Sequence, residues 1–410
     1  MSDMSFTAYI GHMESGTALE KALAVLPAYS PEIVSADPGT RLIALSDIFQ
    51  LYIPNRMSKE IYSKIYLSLL RSLSKKSSKI AVQQHYQNHR AINQQNYTGI
   101  IGGSDSFTII GESGIGKSTA ISRAIEIITQ NKIIEIDNPF TKIIPCLVVQ
   151  CPFDSSVKGL LFEILRLVDE QIGSNYYVSA KKARSTTDML IGAVSQVCLT
   201  HIGLLIVDEI QHVVNHKNGK NLVGCLTQLI NNTGISICMV GTPESAAFFT
   251  QAMQLARRSL GIWYDSLSYG TEFEEFCRVL YTYQYVKNAS PLSSGIIQWL
   301  YEHSNGNLSI VVSLFHDAQE MAILDGSDYL TIQALDSAYK SRMGMLHGYV
   351  EIPTKKQVTK ITMTNPILKA SDNESDPEIS IAMIIQRAKN ECKNIVAELQ
   401  KYIQVEEVKI

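Results

Sequence analysis

Gly111, Glu112, Ser113, Gly114, Ile115, Gly116, Lys117 and Ser118 follow one another in the order G-x-x-x-x-G-K-S, and Thr119 comes next. This spelling suits a loop that cradles nucleotide phosphates. A polyphosphate needs many N–H donors converging on it, so the backbone must curl with no side chains in the way, and glycine permits that curl. Lys117 would set one ammonium beside the β- and γ-phosphates, and the Ser118 hydroxyl would be left to ligate Mg²⁺. The ligands expected from these residues are ATP and Mg²⁺.

A second group of residues supplies the rest of a hydrolytic site. Leu204-Leu205-Ile206-Val207 ends in Asp208-Glu209, as a buried parallel strand does when it meets a nucleotide. Asp208 would hold the Mg²⁺ hydration shell, and Glu209 would orient and deprotonate the attacking water. A base beside the phosphates implies hydrolysis as well as binding. The run Ile235 to Val240 delivers Thr242 to the C-terminal edge of a sheet, where open α/β sheets bind ligands. Thr242 either hydrogen-bonds the γ-phosphate or the water, or simply starts the turn before Pro243. Arg257-Arg258 reads either as an arginine lent to a neighbouring subunit's γ-phosphate or as an exposed basic pair. Lys181, Lys182 and Arg184 follow Tyr176-Tyr177 with no acid before Asp188, and Lys158 is expected in a polar turn, Asp154-Ser155-Ser156, just after the second strand. These four could grip the phosphates of a duplex, or form a solvated charged surface. His85/His89 and His212/His216 have i, i+4 spacing but lack a neighbouring Glu and a third ligand, so they read as surface histidines and not as a zinc site.

The elements that must position these groups are legible as hydrophobic patterns. Phe107–Ile110, Ile143–Val149, Gly203–Val207 and Ile235–Val240 read as strands, with helical patterns between them. The helix after the phosphate loop is expected over Ile115 to Thr129, with its N-terminal dipole aimed at the phosphates. Alternating strands and helices predict a parallel sheet covered on both faces. From about Thr271 the strands stop, and helices are expected near 273–285, 294–303, 309–324 and 331–339, as a small helical lid. The expected division is a helical, basic N-terminal extension (1–95), a nucleotide-binding core (96–268), the lid (269–348), and a linker with a C-terminal partner-binding helix (349–410). The extension carries eight basic residues and one acid between Arg56 and Arg90, in a chain whose net charge is −3. Any nucleic-acid surface is therefore a local patch. In the tail, an acidic stretch at 372–376 precedes an apolar helical stripe from Ile381 to Leu399. Seven cysteines without a C-x-x-C pair read as reduced, buried thiols of the cytoplasm. The apolar stretch 191–207 is broken by polar residues and reads as a core helix running into a core strand, not as a membrane span.

With these residues in place the chain resembles the TnsC/TniB group of AAA+ ATPases, which regulate target selection in DNA transposition. The similarity covers about residues 40 to 340. It rests on Gly111–Thr119, Gly203–Gln211, Val240-Gly241-Thr242-Pro243 and Leu255–Gly261, with weaker support from Val149-Gln150-Cys151-Pro152 and from Ser304-Asn305-Gly306-Asn307. The resemblance implies an AAA+ P-loop ATPase fold, a parallel sheet flanked by helices and followed by a small helical lid. It implies head-to-tail rings or filaments around double-stranded DNA, with Arg257 or Arg258 completing the next protomer's site. It implies that information passes from a target-selection protein to transposase subunits, that hydrolysis drives disassembly, and that the protein is cytoplasmic and nucleoid-associated in a prokaryote. Lys181 to Arg184, and Lys158, would face the DNA. One departure stands out: Leu308-Ser309 follows Gly306-Asn307, where many AAA+ lids carry an arginine. The alternatives are a signalling or defence P-loop ATPase that never contacts DNA, a helicase loader, and a small-molecule kinase. The acids at 208 and 209 favour water over a metabolite as acceptor.

Overall fold

The computed structural model of the chain describes residues 9–76, 106–137, 140–213, 219–246 and 260–342. Arg257, Arg258, His85, His89, His216, the polar run 83–98 and the stripe 381–399 lie outside the described residues.

In chain order the helices and strands are α1 (Gly16–Leu23), α2 (Pro38–Leu45), α3 (Arg56–Lys76), β1 (Phe107–Gly111), α4 (Lys117–Thr129), β2 (Ile134–Asp137), β3 (Phe140–Gln150), α5 (Val157–Ile172), α6 (Tyr176–Lys182), α7 (Thr187–His201), β4 (Ile202–Asp208), α8 (Gly219–Thr233), β5 (Ser236–Gly241), β6 (Leu260–Tyr264), α9 (Thr271–Leu280), α10 (Ser294–Ser304), α11 (Leu308–Leu324) and α12 (Ile332–Arg342). Several helices start on the caps their sequences offer. Asp37 accepts from the Gly39 and Thr40 N–H groups with Pro38 in the first turn, and Ser156, Thr186, Ser293 and Asn307 cap α5, α7, α10 and α11.

The sheet order is β2-β3-β4-β5-β1-β6. Pairing is parallel from β3 to β6 and antiparallel between β2 and β3. The expected parallel sheet is therefore present, with two strands that hydrophobic pattern alone missed. β2 is four residues of alternating Ile and acid, half exposed at the edge. β6 contains Gly261 and begins outside any apolar run. The helix expected from Ile115 begins two residues later, at Lys117. Gly116 takes φ 93°, a left-handed conformation that cannot continue a right-handed helix, and Ile115 turns into the core instead.

Both faces of the sheet are covered. One face packs on α5, α7 and α8 through residues such as Leu160, Ile164, Val194, Leu226, Leu205 and Ile237. The other packs on α1, α3 and α4 through Leu23, Ile61, Ile65, Leu69, Ala120, Ile121, Ile109 and Leu204. Each fully buried aliphatic side chain contributes on the order of 1.5–3 kcal/mol. That explains the near-continuous apolar strands at the sheet's centre, since a parallel strand covered on both sides has no polar face. The helical lid has its own core, in which α9 to α12 bury Phe273, Phe276, Leu300, Val311 and Phe315.

The N-terminal residues are divided between these bodies. Leu45, Ile48 and Leu51 belong to the lid's core, whereas Met57 onward belongs to the sheet's. Arg41 is buried and fastens the first part to the lid. Its guanidinium donates to Asp328 Oδ1 at 2.5 Å, to Asp328 Oδ2 at 3.3 Å and to the Tyr285 carbonyl at 3.0 Å. That hydrogen bond chiefly holds the Asp328 carboxyl below the usual range. Parts of the basic N-terminal region serve the fold. Lys59 pairs with Glu20 at 2.9 Å, and Lys76 is buried against the Cys198 and Leu199 carbonyls at the end of α7. The six described cysteines are buried and free, and burial pushes the Cys146, Cys151, Cys198, Cys225 and Cys277 thiols up to about 12. Among the described residues no helix is long and apolar enough to cross a membrane.

Candidate active site

β1 is buried along its whole length and ends on Gly111, so the loop that follows emerges at the C-terminal edge of the sheet. Gly114 and Gly116 both take positive φ, at 83° and 93°. A Cβ on Gly114 would lie 2.8 Å from Asn307 Oδ1, so the lid approaches the loop where the side chain is missing. Lys117 is buried at the start of α4, and its ammonium donates to the Gly111 and Glu112 carbonyls, each at 2.7 Å. Burial holds the Lys117 pKa below the ordinary lysine value, with the Asp208 and Glu209 carboxylates opposing.

β5 runs between β1 and β4, so the ends of three strands meet in one cleft. Asp208 ends β4, and its Oδ2 accepts from Ser118 Oγ at 3.0 Å. Asp208 Oδ1 accepts from the Glu209 N–H at 2.8 Å. Glu209 has φ 58°, an uncommon conformation for a residue with a side chain, and it is held by that local bond. Gln211 Nε2 donates to Glu209 Oε2. Thr242 follows β5. Its hydroxyl is buried without a well-formed hydrogen bond, and the Glu244 carboxyl feels it closely enough to be held below the usual carboxylate range.

The cleft has a volume of about 420 Å³ and is lined by Ser113 to Thr119, Asp208, Glu209, Gln211, Gly241 and Thr242 on its polar side. Its apolar side is Leu51, Tyr52, Ile53, Phe276, Leu308 and Val312. A lining that combines the glycine-rich loop and two acids with apolar side chains suits a ligand that carries both phosphates and a flat apolar ring. The oxygen donors Ser118 and Asp208, already within hydrogen-bond distance of each other, are the hard ligand set that Mg²⁺ takes.

The lid closes on the phosphate loop from above. Asn307 Nδ2 donates to the Ser113 carbonyl at 2.8 Å, and the Ser309 N–H donates to the Gly114 carbonyl at 3.3 Å. Gly306 permits this approach: it has φ 75°, and a Cβ there would fall 1.8 Å from the Leu267 carbonyl oxygen. With Leu308-Ser309 following Gly306-Asn307, it is the Asn307 side chain and the N-terminus of α11 that meet the loop.

The structure brings together Gly111 to Thr119, Asp208, Glu209 and Thr242. Local sequence reading missed the apolar wall at 51–53, because those residues continue the hydrophobic run of the N-terminal region. It gave Gln211 no role, although that residue stands two places after Glu209. Lys158, Lys181, Lys182 and Arg184 lie away from the cleft. Lys158 is the second residue of α5 and not part of the preceding turn; its ammonium sits 5.7 Å from the Phe162 ring centre. Phe162 meets Tyr177 edge to face at 5.7 Å, and Lys181 sits 5.4 Å from the Tyr177 ring centre. The two lysines therefore sit at the ends of one row, with the two rings in contact between them. Lys182 and Arg184 are exposed at the end of α6. His212 is exposed and has no second described histidine beside it. One cluster of potential metal ligands occurs among the described residues, His316, Asp317 and Glu320, and Arg342 already engages its two carboxylates.

The family model described as Bacterial TniB protein matches residues 102–261, less than half of the 410-residue chain. A search of curated proteins found no match. Among solved structures the chain is similar to the ORC1 protein of Aeropyrum pernix in complex with DNA, at 13% identity and a TM-score of 0.41, over 63% of this chain and 64% of that one. It is also similar to the ORC2 protein of the same organism in its ADPNP–ADP complexes, at 14% identity and a TM-score of 0.39, over 64% of this chain and 66% of that one. The ADP form of that protein matches at 15% identity and a TM-score of 0.39, over 64% of this chain and 67% of that one. The chain thus spans just under two thirds of the length of the first two. The matched segment contains the phosphate loop, Asp208, Glu209 and Thr242, the residues that the structure gathers at the C-terminal edge of the parallel sheet.

Proposed function

We propose that the protein is an ATP-hydrolysing switch that assembles on duplex DNA and links target-site selection to a transposase. The observation that carries the reading is the meeting of Lys117, Ser118, Asp208 and Glu209 in one cleft of a TniB-matched domain.

In this reading the loop's N–H groups and Lys117 bind the β- and γ-phosphates, and the apolar wall at 51–53 with Leu308 and Val312 receives the base. Ser118 and Asp208 hold Mg²⁺, which neutralises phosphate charge when bound. Glu209 accepts a proton from the attacking water as its oxygen bonds to the γ-phosphorus and the bond to ADP breaks. Thr242 donates to the γ-phosphate or that water. Arg257 or Arg258 of a neighbouring copy neutralises charge in the transition state, and disassembly follows hydrolysis.

Duplex contact falls to the row Lys158–Phe162–Tyr177–Lys181 and to Lys182 and Arg184. Lysines fixed on aromatic rings present charge at low entropic cost, and phosphate contacts make affinity salt-dependent. The partners are further copies of the chain, double-stranded DNA, a target-selection protein and transposase subunits.

The test mixes the full chain with duplex DNA and ATP, ADP or a slowly hydrolysed analogue, then images it and measures phosphate release. Polymer on DNA is expected with the triphosphates only. Equal assembly with ADP rules the switch out. ATP hydrolysis with no DNA binding at low salt would move the protein to the signalling or defence class.

A further inference from the structure

The geometry points to Gln211 as a positioning residue for hydrolysis: its amide holds the Glu209 carboxylate in the cleft, and it acts on the reaction only through that acid. This rests on the ATP-hydrolysing reading above and adds a residue to it.

The turn that carries Gln211 has little freedom. The Glu209 N–H is tied to Asp208 Oδ1 at 2.8 Å. Ile210 is fully buried between the sheet and its covering helices. The His212 N–H donates to the Glu209 carbonyl at 3.2 Å, and the His212 carbonyl accepts from Ser155 Oγ at 2.9 Å. The backbone is therefore pinned before and after Gln211, which fixes where its side chain can go.

That side chain lies against the end of β5. A Cβ on Gly241 would fall 3.2 Å from Gln211 Oε1, so the missing side chain at 241 leaves room for the amide. Gln211 Oε1 is buried and has no hydrogen-bond partner, whereas Nε2 donates to Glu209 Oε2. Leaving one buried acceptor unmet is unfavourable. The donor on the same amide is the group that gains, because a hydrogen bond to a charged acceptor is about twice as strong as a neutral one. Glu209 takes a left-handed backbone conformation at φ 58°, and without a partner its flexible side chain has several rotamers open to it. The amide removes that freedom. A general base must be in place when the water attacks, so fixing the carboxylate raises kcat and leaves nucleotide binding alone.

The experiment uses the full chain with ATP and Mg²⁺. Gln211→Met keeps the volume and removes the donor. The expected result is a roughly tenfold to hundredfold fall in kcat, with KM for ATP unchanged, from loss of one charge-assisted bond. In a Glu209→Gln background the same substitution is expected to change the single-turnover rate by less than about twofold, because residues acting through one another are not additive. Gln211→Glu keeps the shape but sets a second carboxylate beside Glu209; it serves where the Met variant loses its thermal transition, and a fall in kcat at constant KM is again expected. The inference is overturned by an unchanged or raised kcat, by a change confined to KM, or by an equal loss with and without Glu209. A wild-type chain that does not hydrolyse ATP at all would overturn the reading beneath it instead.

Discussion

Ser118 Oγ and Asp208 Oδ2 lie 3.0 Å apart, although ninety residues separate them in the chain. The contact joins the start of α4 to the end of β4 across β5, which lies between β1 and β4 in the parallel sheet. Both groups offer oxygen to a small divalent ion. Ser118→Ala and Asp208→Asn should each raise the Mg²⁺ concentration needed for half-maximal ATP hydrolysis, by about tenfold or more on the strength of one lost ligand. A Mg²⁺ titration of phosphate release reads this, and an unshifted midpoint in both variants removes these residues from the metal site.

Glu209→Gln keeps the shape of the acid and removes its capacity as a base. Phosphate release should fall by about 10²–10⁴-fold, while binding of a fluorescent ATP analogue stays within a few-fold. The variant should retain triphosphate after gel filtration. Normal turnover in this variant would assign proton removal to another group.

Gly306→Ala tests the lid's approach to the phosphate loop. The added methyl collides with the Leu267 carbonyl and strains a φ of 75°. The expected cost is at least about 2 kcal/mol, from left-handed backbone strain and the clash together. ATP affinity should fall with it, since Asn307 and Ser309 can no longer reach the loop. A melting curve and a binding isotherm decide the matter; stability lost with affinity intact separates the lid from binding.

Arg41 and Asp328 form a buried pair, and breaking one partner strands the other. Arg41→Met and Asp328→Asn should each destabilise by about 3–5 kcal/mol in urea unfolding. The Asp328 carboxyl is held below its ordinary value, so its contribution is present above the unfolded carboxylate pKa and lost as pH falls through the folded one. Unfolding curves below pH 4 should therefore converge for wild type and Asp328→Asn. Curves that stay equally far apart in acid would show that the charge is not what stabilises.

Lys76 gives a linkage of the same sign at alkaline pH, from a charge that burial disfavours. Burial lowers its pKa to about 8, beneath the unfolded lysine value near 10.4. Between those values the unfolded chain binds more protons, so stability rises with pH across that window. Against Lys76→Met, the wild type should gain on the order of 1–3 kcal/mol between pH 8 and pH 10.4. A pH-independent difference would mean that the amine is charged throughout.

The chemistry of the cleft was legible in the sequence because it is written in short runs. The phosphate loop, the acids after Val207 and the threonine after Gly241 each follow an apolar strand, and strand ends are where an α/β sheet presents ligands. β2 and β6 were not legible: β2 is a four-residue edge strand that alternates Ile with acids, and β6 is a five-residue edge strand interrupted by Gly261. The apolar wall at 51–53 was hidden for a different reason. Leu51, Tyr52 and Ile53 sit more than fifty residues before the loop they face, and nothing local distinguishes a nucleotide wall from a core segment. Gln211 belongs to the run that carries the resemblance, but its contact with the Glu209 carboxylate depends on the left-handed turn at Glu209, which residue types do not announce. The Lys158 and Lys181 row depends on Phe162 meeting Tyr177 across two helices, a contact that spacing cannot supply.

The segment from Tyr29 to Leu51 packs into the lid's hydrophobic core, fastened by Arg41 to Asp328, whereas α1 before it and Met57 onward after it belong to the sheet's core. The short stretch at 52–56 therefore joins the lid's core to the sheet's, and Tyr52 within it approaches the phosphate loop at Gly116. The same loop is met from the lid by Asn307 and Ser309, so a shift of the lid bears on the phosphate loop from two directions at once.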